Sequence, residues 1–505
     1  MIPTLAPHGA GRSVGNAIVL AAAACLAACG GGGNPDARGK DGGLAWSHRV
    51  RGARVRVHDA AVGGDGHAIL VGHFHDGRLE IGGATLVSEP RAGETHGHGF
   101  VVALDANGRA VWARRFEGNQ ETNAAAVVAD ARGHITVLGL FTNEVDFGEG
   151  HMLARDGVEP GGEVFLVQLD PTGRVVWAKG LGERTRGASG LAVDRDGNII
   201  VSTPLAADTD LGGGPLAWKE SYQDSHVVAK LDRDGRHVWS RRLGYVTELA
   251  IPGVATDAAG DVVIGGWCRG DLDLGGGVLV TGDLGPVGFV AKLNAAGRAL
   301  WSRRTTTTKG GAGDTVLDVA VDPAGNVFAA GSLTLGGVLD APVRADRRAW
   351  VLPNEEDGFM VKLDPSGRSL WGETFRGQWR LAGTRSSATA LATDAAGAVF
   401  VGGYFEGLLD FGSGRLRSEH GRVFVTKRDA EGRPQWSRTV GDLPEVLAVR
   451  GLAVDARGAA VVAATSFGSN YPRKITVGPA PSYTTWLTRP SGEDGEALYL
   501  TKVEP

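Results

Sequence analysis

Seven tryptophans, at positions 46, 112, 177, 239, 301, 371 and 436, recur at intervals of 62 to 70 residues. Most of them close the same short run: LDANGRAVW, LDPTGRVVW, LDRDGRHVW, LNAAGRALW, LDPSGRSLW and, less closely, KRDAEGRPQW. A fixed period of this length settles the architecture before any local propensity does, because each unit must bury itself against its neighbours. Within a unit four strand-like runs follow one another. The first is short and ends near an Asp, as in VVAD (127–130) and LAVD (452–455); the second is typified by HITVLGLF and AVFVGGYF; the third is the FVVALD type; the fourth carries the Trp. Val, Ile, Phe and Trp dominate these runs, as strands require. Apolar residues stand at successive positions, which predicts sheets buried on both faces. No stretch keeps a helical period. The expected fold class is all-β, a seven-bladed β-propeller of four-stranded blades.

Two turns recur with the spacing Asp-x-x-Gly. One joins runs one and two (Asp130–Gly133, Asp194–Gly197, Asp257–Gly260, Asp322–Gly325, Asp394–Gly397, Asp455–Gly458), with Gly63 taking the Asp place in the first unit. The other joins runs three and four, with Asn294 once replacing Asp. Asp first and Gly fourth specify a type I turn followed by a left-handed residue. DRDGN (194–198) glances at a calcium loop, but the remaining ligand positions of such a loop are missing.

The final unit stops at LYLTKVEP before any Trp, while GLAWSHRV (43–50) stands alone at the start with Trp46 in the repeat position. The expectation is that this N-terminal strand joins the last blade and closes the ring. Residues 44–505 are then the propeller.

Ahead of it, AIVLAAAACLAA (17–28) is an apolar run too short to span a bilayer. It ends in Leu26-Ala27-Ala28-Cys29 and is followed by a Gly-rich stretch to residue 43. This resembles a bacterial lipoprotein signal, which implies removal of residues 1–28, a lipid on Cys29 and a flexible tether over 29–43. The implied address is the cell envelope, with Gly30 pointing to the outer membrane and the lipid as sole membrane contact. Of three cysteines, only Cys268 would then remain in the body, so no disulfide staples it. Mixed charge, net −5, argues against a nucleic-acid partner.

The pattern A-x-D-x-x-G-N-x-x-x-x-G-x-F, then DFG (Asp146–Gly148, Asp410–Gly412), then FVxKLDxxGxxxW resembles the bacterial SBBP seven-bladed propeller repeat. That resemblance implies surface or secreted proteins and no defined chemistry, so function must come from a site. Both Asp-x-x-Gly turns belong on one face of the disc. The variable connections are expected on the other. Four tryptophans outside the repeat, Trp218, Trp350, Trp379 and Trp486, fall in those connections and are the candidate ligand-binding residues. Trp267 is read as replacing the Phe of other blades. His73, His75, His96 and His98 are a second, metal-ligating candidate.

The leading expectation is a monomeric, non-catalytic scaffold that binds an envelope protein or a glycan, with no cofactor. VALDANGRAVW (102–112) is similar to the tryptophan-docking motif of pyrroloquinoline-quinone dehydrogenases, which implies a quinoprotein-like enzyme as one alternative, a metal-dependent periplasmic enzyme being its companion. An outer-membrane assembly factor is the other. Both the quinoproteins and the assembly factor usually have eight blades. No Ser/His/Asp set, phosphate loop or carboxylate pair was found to support catalysis.

Overall fold

The computed structural model describes residues 44–503 except 50–54, 76, 89–96, 155–161, 184–188, 206–208, 217–223, 247, 275–277, 280–285, 306–312, 335–355, 376–385, 441–446, 467–473, 478–482 and 487–496. Among the described residues the regular elements are strands, and the principal ones make seven four-stranded sheets. In the first sheet these are Val55–Val62, Ala68–His75, Gly97–Leu104 and Ala110–Arg115, in that order. The next five sheets repeat this arrangement. The seventh uses Leu447–Val454, Ala460–Ser466 and Ala497–Val503, with Leu44–Arg49 as its fourth strand. Leu44 stands opposite Val503 and Arg49 opposite Tyr499, antiparallel.

Seven apolar cores lie between successive sheets. Ile69 and Val71 pack with Val137 and Phe165 of the second sheet. Leu70, between them on the same strand, faces the other way onto Val461 and Leu500 of the seventh. This is why apolar residues run consecutively: each strand feeds two cores. The first strands touch in order, Val55–Val62 against Thr122–Ala129, then Gly190–Val193, Glu248–Thr256, Thr315–Val321, Ser386–Thr393 and Leu447–Val454, which returns to Val55–Val62. The protein has a propeller-like all-β fold.

The recurrent turns have the expected chemistry. Gly108 N–H donates to Asp105 O, Asp105 N–H to Arg109 O, and Asp105 Oδ1 accepts from the N–H groups of Asn107 and Arg109. In the first-to-second turns of sheets three to seven the Asp has a further role that the turn reading missed. Its second oxygen meets a Lys of the third strand, buried in Lys230–Asp194 (2.8 Å), Lys292–Asp257 (2.7 Å), Lys362–Asp322 (3.0 Å) and Lys502–Asp455 (2.8 Å) and half-buried in Lys427–Asp394 (3.4 Å). Burial alone would raise Asp194, but bonds from Lys230 and Asn198 outweigh it and hold the carboxyl below its ordinary value. With its carboxylate committed to Lys230, Asn198 and backbone N–H groups, Asp194 has no call for a calcium ion.

Four of the repeat tryptophans grip the following sheet through a hydrogen bond. The indole N–H groups of Trp112, Trp177, Trp239 and Trp301 donate to the carbonyl oxygens of Pro171, Arg233, Ala295 and Pro365. Two residues on, a cation caps a second carbonyl of that sheet: Arg114 to Phe147 O, Lys179 to Leu211 O, Arg241 to Leu274 O and Arg303 to Gly367 O. The signature W-x-[R/K] is thus a two-point clasp. In the sixth sheet the clasp is rewired. Glu373 replaces the cation, and Arg428 of the sixth sheet itself donates to Phe411 O while pairing with Glu373 at 2.8 Å.

The connections between second and third strands do not stay on the face opposite the turns, as expected from the sequence. In the sheets where they are described they form hairpins that fold back. Gly82 O accepts from Ala110 N–H (2.8 Å), Glu149 Oε2 from Val175 N–H (2.7 Å), and Gly412 lies against Pro434, so their tips reach the start of the fourth strand. The cause is an apolar residue at each tip, Ile81, Phe147, Leu211, Leu274 or Phe411, which is almost wholly buried. Burying a side chain of this size contributes about 2 kcal/mol. The Phe of DFG is such an anchor.

Candidate functional site

In six of the seven first strands the pairing with the second strand slips, leaving His58, Ala125, Pro252 (with Ile251), Leu317, Thr389 and Arg450 bulged. Each stands five residues before its turn Asp, or before Gly63 in the first unit, and Ser189 holds that place in the third. A bulge re-aims its side chain. All seven residues line one central cavity of about 790 Å³, to which every sheet contributes. Glycine stands opposite the bulge in five sheets (Gly72, Gly139, Gly266, Gly331, Gly403), where a Cβ would collide with a first-strand carbonyl. The G-x-F part of the repeat therefore encodes the bulge.

One residue further on, the ring reads Asp59, Ala126, Gly190, Gly253, Asp318, Ala390 and Gly451. The small residues are required by crowding: a Cβ on Gly253 would stand 3.0 Å from Val319 N, and one on Gly451 would strike Ala60 N. At two places a carboxylate occupies this seam. Asp59 Oδ1 accepts from Ala60 N–H (2.7 Å) and Oδ2 from Val127 N–H of the second sheet (2.9 Å). Asp318 repeats the arrangement, with Val319 (2.8 Å) and Leu391 of the sixth sheet (2.7 Å). Each Asp thus staples two neighbouring sheets. Burial pushes both carboxyls up to about 7, against the pull of their N–H bonds, and Asp318 adds a smaller push on Asp59.

His58 Nε2 and His73 Nδ1 share a hydrogen bond of 2.8 Å, and their rings stack. Burial first, then the charges of Arg450 and Arg56, lowers His58 to about 4; burial and the neighbouring His58 lower His73 to about 3. Both imidazoles are neutral at pH 7. Near neutrality the cavity is therefore lined by two carboxyls that titrate near 7, the neutral imidazole of His58 and the guanidinium of Arg450. Such a set can bind and exchange protons.

Sequence reasoning missed this site. Its Asp residues sit inside apolar strands, and only alignment on the turn Asp reveals their ring.

Of the candidates from sequence, Cys29, Trp218, Trp350, Trp379 and His96 lie outside the described residues. Trp486 ends a strand, Tyr483–Trp486, paired with Lys474–Val477. His73 and His75 come together edge to face at 5.2 Å. His98 stands opposite Phe74 in the ladder and packs against it, on the other face of the sheet from His73 and His75. Among the described residues no three His, Cys, Asp or Glu side chains are placed to hold a metal. Trp267 also departs from expectation. Register puts Cys268, not Trp267, at the place of Phe74, Phe141 and Phe405; Cys268 is fully buried, its thiol pushed by burial up to about 12. The one-residue offset turns Trp267 to the opposite face, where it lines the cavity.

No protein-family model matches the chain, and no curated protein does. Among solved structures, puromycin hydrolase aligns over 83% of this chain and 51% of its own, at 15% identity and a TM-score of 0.39. A protein of unknown function from Bacteroides caccae aligns over 68% and 90%, at 12% identity and 0.32. A gluconolactonase from Xanthomonas campestris aligns over 68% and 90%, at 14% and 0.26. The chain thus spans about half of puromycin hydrolase. Likenesses this slight carry no inference about activity.

Proposed function

We propose that the protein is a seven-bladed β-propeller, closed by its N-terminal strand and tethered to the cell envelope through a lipid on Cys29. It acts there as a non-catalytic scaffold that binds an envelope protein or a glycan through its variable connections. The observation that supports the ring is that Leu500 of the seventh sheet shares a core with Val55 and Val57 of the first. Sheets clasped at four seams by Trp and a neighbouring cation hold loops in fixed relation, as recognition needs.

Two experiments test the reading. Changing Cys29 to Ser should release the protein from membranes; retention would overturn the lipid anchor. Native mass spectrometry of the protein isolated from its own envelope should find a protein or glycan that is lost when Trp218, Trp350, Trp379 and Trp486 are all changed to Ala. A small bound mass that survives that variant would replace the scaffold with an enzyme.

A further inference from the structure

We propose that the rim of the first and second sheets rests on the membrane surface, as a second contact beside the lipid on Cys29. It depends on the lipid anchor proposed above. Among the described residues seven large apolar side chains are exposed, and all of them lie on fourth strands or on the fold-back hairpins. Five stand just before a repeat Trp: Val111, Val176, Val238, Leu300 and Leu370. There the pairing with the third strand skips one residue, and the bulge turns that residue outward. Sheets three to five carry this one residue each. In the first sheet Val87, on a hairpin strand that lies against Ala110–Arg115, joins Val111. In the second Met152, on a strand against Val175–Glu183, joins Val176. These four side chains are 45–61% exposed.

The occupant follows from where the tether leaves the fold. Leu44–Arg49 is the outer edge of the seventh sheet, so the chain toward Cys29 departs from the rim and not from the centre. Fifteen residues, 29–43, separate the lipid from that strand. A Gly-rich stretch of this length has a mean span of about 20 Å. A bilayer that takes up the lipid is thereby kept near the seventh sheet and its two neighbours. Of those neighbours, among the described residues, the first carries exposed large apolar side chains, whereas the sixth has Gln435 at its bulge and none. Glu80, Glu117 and Glu149, which adjoin the strands of the contact, are each paired with an arginine, Arg78 (2.9 Å), Arg115 (2.8 Å) and Arg114 (2.8 Å). These carboxylates therefore present no unpaired negative charge to a lipid surface. Aliphatic side chains gain by leaving water for a bilayer interface, and the tether makes a weak contact intramolecular.

The test is hydrogen exchange of the full chain, carrying Cys25→Ser, coupled through Cys29 to a maleimide lipid in phosphatidylcholine vesicles. The same chain coupled to a soluble maleimide is the comparator; Cys268 is buried and does not compete for the reagent. On the vesicle, exchange should slow about threefold or more over Ala84–Ser88, Ala110–Arg115, Met152–Ala154 and Val175–Glu183, and stay unchanged over Ala299–Arg304 and Ser369–Phe375. Changing Val87, Val111, Met152 and Val176 together to Ser should abolish the difference, while Val238→Ser with Leu300→Ser and Leu370→Ser should leave it. The proposal is overturned if nothing slows, if all rim strands slow alike, or if the slowing survives the four-Ser change. Should the four-Ser variant fail to fold, the contrast between sheets on the unaltered chain decides. Because the coupling is chemical, the outcome does not depend on whether the cell lipidates Cys29, which the release of Cys29→Ser from membranes tests separately.

Discussion

Trp112 lies directly over Gly173 of the following sheet: a Cβ on that glycine would stand 2.7 Å from the indole ring, while the indole N–H reaches Pro171 O at 3.0 Å. Gly235, Gly297, Gly367 and Gly432 sit in the same way under Trp177, Trp239, Trp301 and Trp371. The left-handed glycine of each turn thus serves twice, once for its backbone and once for the ring above it.

Two glycine substitutions separate those roles. Gly173→Ala meets both a positive φ (82°) and the Trp112 ring; Gly66→Ala meets a similar φ (80°) with nothing within 4 Å. The second should lose about 1 kcal/mol, and the first about 1–3 kcal/mol more, read from urea midpoints. Equal losses would mean that the ring contact is not selective.

The rewired seam between the fifth and sixth sheets is a double-mutant test. Arg428 is 2% exposed and its partner Glu373 25%. Removing Glu373 leaves a buried cation and should cost about 3–5 kcal/mol. Arg428→Leu with Glu373→Lys restores the pattern of the other sheets, and should recover most of that loss. A double variant no better than the sum of its parts would sink the compensation.

The stapling carboxyls make stability depend on pH with a known sign. Their folded value is about 7, above the ordinary 3.8. Their contribution is full below about pH 4 and is lost as pH rises through 7. His58 and His73, depressed on folding, act oppositely, and only below about 6.5. Between pH 6.5 and 8, then, stability should fall as pH rises, and Asp59→Asn with Asp318→Asn should flatten that slope. An unchanged slope in the double variant would refute the assignment.

Deleting residues 41–50 should expose the edge of Ala497–Val503 and give a chain that aggregates or unfolds without cooperativity. Adding the peptide LAWSHR in trans should partly restore a single transition. A truncation as soluble and stable as the parent would refute closure by this strand.

The turns, the strand grammar and the place of Trp46 were legible because each is written in a few adjacent residues. The fold-back of the hairpins was not, since it depends on where Phe147 and Phe411 find a core, and that core includes the neighbouring sheet. Trp267 was misplaced because a single residue of register exchanges the two faces of a strand, and G-x-F with Cys in the Phe place hides the register. Asp59 and Asp318 were overlooked as strand residues. Their meaning lies in the Ala and Gly that fill the same place elsewhere. Arg428 and Glu373 are 55 residues apart, so their exchange is invisible until the seam brings them together.

The strand Leu44–Arg49 has a mechanical consequence. If Cys29 carries the proposed lipid, a pull through that tether arrives first at the five paired residues of this strand. Leu44 and Val503 would part before anything behind them was loaded. The seventh sheet would then act as a fuse, yielding at one edge while the other seams stay clasped, and re-forming when the strain ends.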